Sequence, residues 1–411
     1  MPKIIEKSSD NRLIAAVIDQ WEMIGHEGIS ARQLSAVASI PASSIYHHFG
    51  SLEQLLVLAQ EQAQRQARAW CDDRLQQIAG IPRDGRAFAS FFAALVDDWT
   101  RAQRTLAFAW REGQLLRTES HAGRDLRLQW QGLWRAFWQE ATDRFGLGHG
   151  AMVADRLFEN ESFLHMIGWR RAVDRAGLDE FAGGVAAWLA GAAAPPSPWR
   201  DFARGQALEA APAAPTTPGH DDTTARIVAA AAALIGEAGP TGLTHRAVAD
   251  QAGLTLGVVS HKMRTKAQLL QAGYEGIYIA AASRLRAQAS MPAPGNRSMT
   301  PAVLAAFLAQ SLGGKGIDAL HLAVARDPAL AQFGLQMRYL RGAASRGLLH
   351  MLMTDRPEPG HLDAALLSSF LSSLVRGHAD CTSAQALAPI QADIEAMVAL
   401  LRERAHPWAS S

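Results

Sequence analysis

Ser43, Tyr46 and His47 are spaced so that, on a helix, they share one face of small or hydrogen-bonding side chains. Ile45 and Phe49, four apart, fall on the opposite, buried face. A short helix with an apolar back and a small, hydrogen-bonding front is what a helix-turn-helix lays into a DNA groove. Two other groups of residues invite a chemical reading. Glu161 and His165, four apart, could clasp a metal, but no third ligand stands at a matching spacing. A surface or interhelical hydrogen bond is expected there, and neighbouring Arg170 and Arg171 read as a solvated face. Trp130, Trp134 and Trp138 repeat at four, and with Trp99 and Trp110 they crowd three consecutive helices. An aromatic stripe is most often core; part of this one is read as the wall of an apolar pocket for a small apolar or aromatic molecule. No nucleophile–base pair, Gly-rich phosphate loop or metal set is present, so neither an enzyme nor a cofactor is expected.

The elements that must hold the first face are legible around it. After Gly28, Ser30 is placed to N-cap a helix in which Leu34, Val37 and Ala38 are spaced to face a core. Ser39-Ile40-Pro41 breaks that helix, because Pro41 suits a first helical turn and not an interior. Upstream, Ile14, Ile18 and Trp21 make the inward stripe of a helix from about Arg12 to Ile24, ended by Gly25 and Gly28. Residues 1–11 read as a frayed arm. The stretch occurs twice. With a shift of 214, residues 12–56 align without a gap on residues 226–270, and 11 of the 45 pairs are identical, including Gly25/Gly239, Gly28/Gly242, Arg32/Arg246 and His47/His261. A period this long is a domain duplication and not a solenoid.

Each copy resembles the DNA-binding head of the tetracycline-repressor (TetR) family of bacterial one-component regulators. The first copy carries Ser44-Ile45-Tyr46-His47-His48-Phe49; the second carries Ala252-Gly253-Leu254-Thr255 at the turn and Thr265-Lys266 at the start of the fourth helix. The resemblance implies phosphate contacts from Ser30 and Thr244, from Tyr46 and His48, and from Lys266. It also implies contact faces containing Ala42, Ser43 and His47 in one head and Leu256, Gly257, Ser260, His261 and Lys262 in the other. Each head departs once from the pattern: Leu52 stands where the family has Lys, and Ser260 where it has Tyr. Neither face offers an Arg, Asn or Gln for a bidentate base contact, which leaves Arg32 and Arg246 as the strongest candidates for groove or phosphate contact.

Charge adds little. The chain has 40 Lys+Arg against 39 Asp+Glu, and residues 1–60 are net −2 while residues 221–270 are net +1, a weak electrostatic footprint for a DNA binder. Cys71 and Cys381 lie far apart and fit a reducing cytosol. No signal peptide is evident, and apolar runs such as 183–194 are too short to cross a bilayer, so a cytoplasmic chain without a membrane partner is expected.

An all-α chain follows, with heads at 1–51 and 222–265, helical bodies at 52–191 and 266–411, and a Pro/Ala-rich linker at 192–221 holding a short helix near Asp201–Glu209. A long helix from Leu52 to about Ile78 leads into body helices near Asp84–Arg101, Arg104–Arg117, Ser120–Phe145, Ala151–Arg175 and Leu178–Gly191. Helices near Thr224–Glu237 and Lys266–Ala289 frame the second head, and Pro301–Leu312, Ile317–Arg326, Pro328–Met353, Leu362–His378 and Ala388–Arg404 follow. In relatives of the resembled family the last two body helices pair between subunits. Here both pairs sit on one chain, and Ser368, Ser369, Ser372 and Ser373 permit close approach, so an intramolecular pseudo-dimer is expected; the alternative is two chains giving four heads. The partners implied are double-stranded operator DNA and a small effector whose binding releases it, as in a repressor. The rival is a small-molecule- or partner-binding module on the same scaffold, with one or both heads no longer holding DNA.

Overall fold

Helical periodicity runs through both halves of the sequence, and the computed structural model of the chain is built accordingly. It describes residues 9–115, 121–210, 222–240, 242–277, 299–312, 315–328, 331–342, 345–354 and 358–402. Every regular element among the described residues is helical, as the sequence predicts. By contacts the chain separates into two units, residues 1–83 with 94–155 and residues 84–93 with 156–411.

In the first unit, α1 (Ser9–Met23), α2 (Ala31–Ala38) and α3 (Ala42–Phe49) form a head over α4 (Leu52–Gln77). α5 (Gly85–Arg101) crosses the division, and α6 (Arg104–Leu115) and α7 (His121–Arg144) complete the body. α1 packs on α4 and α6. Its inward face is Leu13, Val17, Ile18 and Trp21, one residue around from the predicted stripe, and Ile14 is only half-buried. Val37, predicted to face the core, is exposed; Leu34 alone fills that side of α2. Polar bonds join head to body. Glu22 accepts from Arg104 Nε at 3.1 Å and Thr105 Oγ1 at 2.8 Å, and Glu112 accepts from the His26 backbone N–H at 2.9 Å.

The second unit takes in most of α8 (Ala151–His165), then α9 (Arg171–Leu189) and α10 (Pro198–Ala210). A second head follows, α11 (Asp222–Ala238), α12 (His245–Ala252) and α13 (Leu256–Lys262), with α14 helical at 266–277. The body is α15 (Pro301–Gln310), α16 (Lys315–Arg326), α17 (Ala331–Tyr339), α18 (Ser345–Leu352), α19 (His361–Gly377) and α20 (Ser383–Arg402). α11 packs on α16 as α1 packs on α6, and Leu320 and Val324 of α16 join the core of this head. α20 is long and apolar enough by itself to cross a membrane; here Ile390, Ile394, Met397 and Leu401 are buried in the body.

Three helix boundaries differ from expectation, two of them through a contact distant in sequence. The predicted helix 151–175 is two, α8 and α9. Arg338 of α17 donates to the carbonyls of Leu164 and Ile167 and lies 2.6 Å from Asp174, while Asp174 takes the Trp169 N–H at 2.8 Å. The freed carbonyls at the end of one helix and the first amides of the next thus both find partners. The predicted helix 328–353 breaks at Gly342, whose φ is 98° and whose Cβ, if present, would come within 2.8 Å of the Ala364 backbone. α20 starts at Ser383, earlier than predicted, and carries Pro389 inside it. The linker helix is longer than expected and docked. Glu180 caps its first turn by accepting the N–H groups of Trp199 and Arg200, both at 2.9 Å, and Ala203 and Ala207 are buried. Of the arm predicted at 1–11, residues 9–11 belong to α1, while residues 1–8 and the ends predicted beyond residues 277 and 402 lie outside the described residues.

α9 packs on α19 and α20. Gly184 makes this approach possible, since a Cβ there would meet Leu362 and Leu366 at 3.0 Å. Buried polar groups fix the register: Asn160 donates to Ser369 at 3.0 Å, Arg156 to Asp393 at 2.9 Å, and Arg376 to Glu159 at 2.6 Å and Asp318 at 3.2 Å.

Candidate nucleic-acid interface

In the second head the frame comes from caps and apolar anchors. The Thr244 hydroxyl accepts the Ala247 N–H at 3.1 Å, Gly253 ends α12 in the left-handed region at φ 62°, and Thr255 caps α13. Val248 and Val259 are fully buried. Arg226 closes the end of α12 by donating to the Ala252 carbonyl at 2.6 Å and the Gly253 carbonyl at 2.9 Å, while His245 Nε2 lies 2.6 Å from the Met263 carbonyl. Thr265 and Gln268 cap α14, Gln268 Oε1 accepting the Arg264 N–H at 2.6 Å. The frame leaves one side of α13 to solvent: Leu256, Gly257, Ser260, His261 and Lys262 are all exposed, as are Thr244, Arg246 and Lys266 around them. Lys266 sits on the first turn of a helix whose amides also favour an anion.

The first head is built the same way from different residues. Ser30 Oγ accepts the Gln33 N–H at 3.3 Å and Ser51 Oγ the Gln54 N–H at 3.0 Å, and both positions match caps in the second head at the 214-residue shift. Ser39, at φ 54°, takes the left-handed position that Gly253 holds. Leu34 and Ile45 are fully buried. Ser30, Arg32, Ser43, Tyr46, His47 and His48 are exposed and Ala42 is half-buried. Tyr46, at 57% exposure, stands clear of the core as a phosphate donor must. His48 Nδ1 lies 3.0 Å from Asp10, which places a carboxylate beside this face.

All of the predicted contact residues of the two heads are open to solvent except Ala42, which is half-buried. Arg264, between Lys262 and Lys266, is exposed in the same place and was not among the expected contacts. Its signal in the sequence was its neighbours: it stands where the first copy has Gly50.

The five tryptophans assigned to a pocket wall lie elsewhere, in the core of the first unit. Trp99, Trp110, Trp130, Trp134 and Trp138 are each at most 3% exposed. Trp134 stands with ring centroids 4.9 Å from both Trp99 and Trp110. Trp130 Nε1 donates to buried Gln60 at 3.0 Å, and Gln60 donates to the Ala109 carbonyl at 2.8 Å. Trp99 Nε1 is buried without a hydrogen-bond acceptor. Glu161 and His165 do bond, at 3.1 Å, but in a buried site within one helix and not on the surface. Burial alone would raise the Glu161 pKa; Arg200, the His165 bond and Arg338 outweigh it and pull the carboxyl down to about 2. Burial and then Arg338 push His165 down. Among the described residues no three His, Cys, Asp or Glu side chains gather as a metal set.

With this geometry in hand the comparison with known families is direct. Residues 227–272, from α11 into α14, match the family described as "Bacterial regulatory proteins, tetR family". The match falls on the second head and supports a DNA-binding transcriptional regulator of that family. No curated protein matches the chain.

Proposed function

We propose that this chain is a transcriptional regulator that grips duplex DNA through two non-identical helix-turn-helix heads carried on one polypeptide, at residues 1–51 and 222–265. The observation that carries the reading is the repeated frame. At a constant shift of 214 the two heads share a hydroxyl cap at Ser30 and Thr244 and at Ser51 and Thr265, a left-handed turn at Ser39 and Gly253, and buried apolar anchors under an exposed face. The tetR-family match to one of these frames supplies the function the other would share. The packing of α9 against α19 and α20 supports an intramolecular pairing of the two halves, so that a single chain does the work of a dimer. Two heads that act together must present α3 and α13 about 34–36 Å apart to meet successive major grooves.

Release by an effector belongs to the same reading. An apolar or aromatic molecule entering the first body would have to part the tryptophan cluster, and the buried Trp99 N–H is the donor it would satisfy. Parting α4 from α7 would move the head that α4 carries. The ligand can shift the equilibrium only by its preference for the moved state.

A second reading is favoured by one observation: the first contact face has Asp10 beside His48 and Leu52 in place of a cation. The first head would then be a scaffold and only the second would hold DNA. A gel shift against the DNA upstream of the chain's own gene separates the two. Two-headed binding gives unequal protection of two half-sites and a steep loss of affinity with salt. One protected half-site supports the second reading, and no shift at low salt overturns both. Native mass decides between one chain and two.

A further inference from the structure

A cavity of ≈ 150 Å³ opens where the linker helix α10, the turn between α17 and α18 and the first turn of α19 come together. Its charged lining is one-sided: Arg200, Arg204, Arg341, Arg346 and His361 against the single acid Asp201. None of these residues is among the contacts expected with DNA.

The guanidinium groups reach the cavity from three segments, Arg200 and Arg204 from α10, Arg341 from the turn after α17 and Arg346 from α18. Arg200 is 7% exposed; its bonds to Glu161 and the Gly177 carbonyl are long, 3.4 and 3.5 Å, and it lies across the rings of Phe181 and Tyr339. Arg341 donates to the Met337 carbonyl and to Ser372, with no carboxylate in ion-pair contact, and burial followed by Arg376 lowers its pKa. It is carried in by the Gly342 turn, which only a residue without a Cβ can make against α19. Arg346 pairs at 3.0 Å with the exposed Glu358 and donates to the Pro359 carbonyl at 2.8 Å, and Arg204 Nη1 lies 3.4 Å from His361 Nε2. The wall opposite is the start of α19, whose first amides have no carbonyl of their own helix to bond. Asp363, the acid of that first turn, is already committed to Trp188 Nε1 and to the N–H groups of Ala194 and Gly360.

Four arginines from three segments, two of them without a carboxylate in ion-pair contact among the described residues, thus line one small cavity. Such an arrangement suits an anion whose oxygens match the planar, forked donors of guanidinium groups. The volume suits a molecule of a few heavy atoms and falls below that of sites for drug-sized ligands. We infer that this cavity binds a small oxyanion-bearing metabolite, through carboxylate or phosphate oxygens, and that binding clamps the linker helix onto the second body. The inference is independent of DNA binding, because its readout is the chain's own stability.

The test is thermal unfolding of the full chain in inorganic phosphate or succinate, each against sodium chloride at matched ionic strength. A site that binds the folded state raises the melting temperature saturably, by about 3 °C at high occupancy. A rise with phosphate alone assigns phosphoryl chemistry, and a rise with succinate alone assigns carboxylate. The double variant Arg204→Gln/Arg346→Gln removes two cations from the lining and should lose the anion-specific rise, each variant being compared with its own melting temperature in chloride so that any loss of the Arg346 bond to the Pro359 carbonyl cancels. Asp201→Asn should move the rise to about threefold lower anion concentration, a gain that a merely structural role would not give. No anion-specific rise in the parent, or an equal rise in the double variant, overturns the proposal.

Discussion

At the 214-residue shift, Leu13 and Ile227, Val17 and Ala231, Trp21 and Ile235, Leu34 and Val248, and Ile45 and Val259 are pairs of different or similar size, and every one is fully buried. At the same shift, Tyr46 answers to Ser260, His48 to Lys262, Gly50 to Arg264 and Leu52 to Lys266, and all but Leu52 are exposed. Burial has held the frame while the contact face has drifted. The first face keeps an aromatic hydroxyl and imidazoles with an acid nearby; the second keeps cations. The comparison teaches that the frame and the exposed face of a head are set by different residues, the one by buried anchors and the other by side chains open to solvent.

The sharpest way to break the comparison is at the frame. Trp21→Ala empties a fully buried indole site and should cost about 3–5 kcal/mol by urea or thermal unfolding. A loss below about 1 kcal/mol would mean the first head does not depend on its core as the second does. Next comes the cationic face. Lys266→Ala should weaken DNA binding about tenfold at low salt and flatten the salt dependence by about one unit of slope, read by fluorescence anisotropy. An unchanged slope would remove Lys266 from the phosphate contacts. The turn gives a paired experiment of smaller size. Gly253→Ser puts a side chain where φ is 62° and should destabilise by about 1 kcal/mol, while Ser39→Gly relieves the matching position at φ 54° and should be neutral to stabilising. Opposite signs would establish that the two turns are equivalent; equal signs would show that one is held by its surroundings. The smallest effect is expected from Leu52→Lys, which gives the first head the cation it lacks. It should tighten binding a few-fold and steepen the salt slope by about one, provided that head meets DNA.

Much of this was legible in the sequence because it is local. A capping hydroxyl and the three residues after it, a glycine at a left-handed turn, or apolar residues at three and four all lie within one short window, and the short helices at Ala31–Ala38, Ala42–Phe49, His245–Ala252 and Leu256–Lys262 were legible from such signals. Most of what the sequence did not disclose rests on contacts between distant positions. Arg338 splits a predicted helix by bonding carbonyls more than 170 residues earlier in the chain. Gly342 breaks another because of what lies opposite it in α19. The linker composition hid a docked helix, since a Pro/Ala-rich stretch reads as a tether until Glu180 is found capping it. The tryptophan stripe was visible as one face of α7, but whether a stripe lines a cavity or fills a core depends on the facing helices, and here Trp99 and Trp110 fill it.

One guanidinium sets a limit on how the molecule can be taken apart. Arg376, near the end of α19, is the shared counter-ion of Glu159 in α8 and Asp318 in α16, and it reaches Asn160 as well. A polypeptide severed within the 192–221 stretch would strand Glu159 in one fragment without its cation and leave Arg376 in the other facing Asp318 alone. The first piece made separately would carry an uncompensated carboxylate on a surface built to be covered. The two fragments produced together should find each other and restore the whole, with Arg376 as the tie between them.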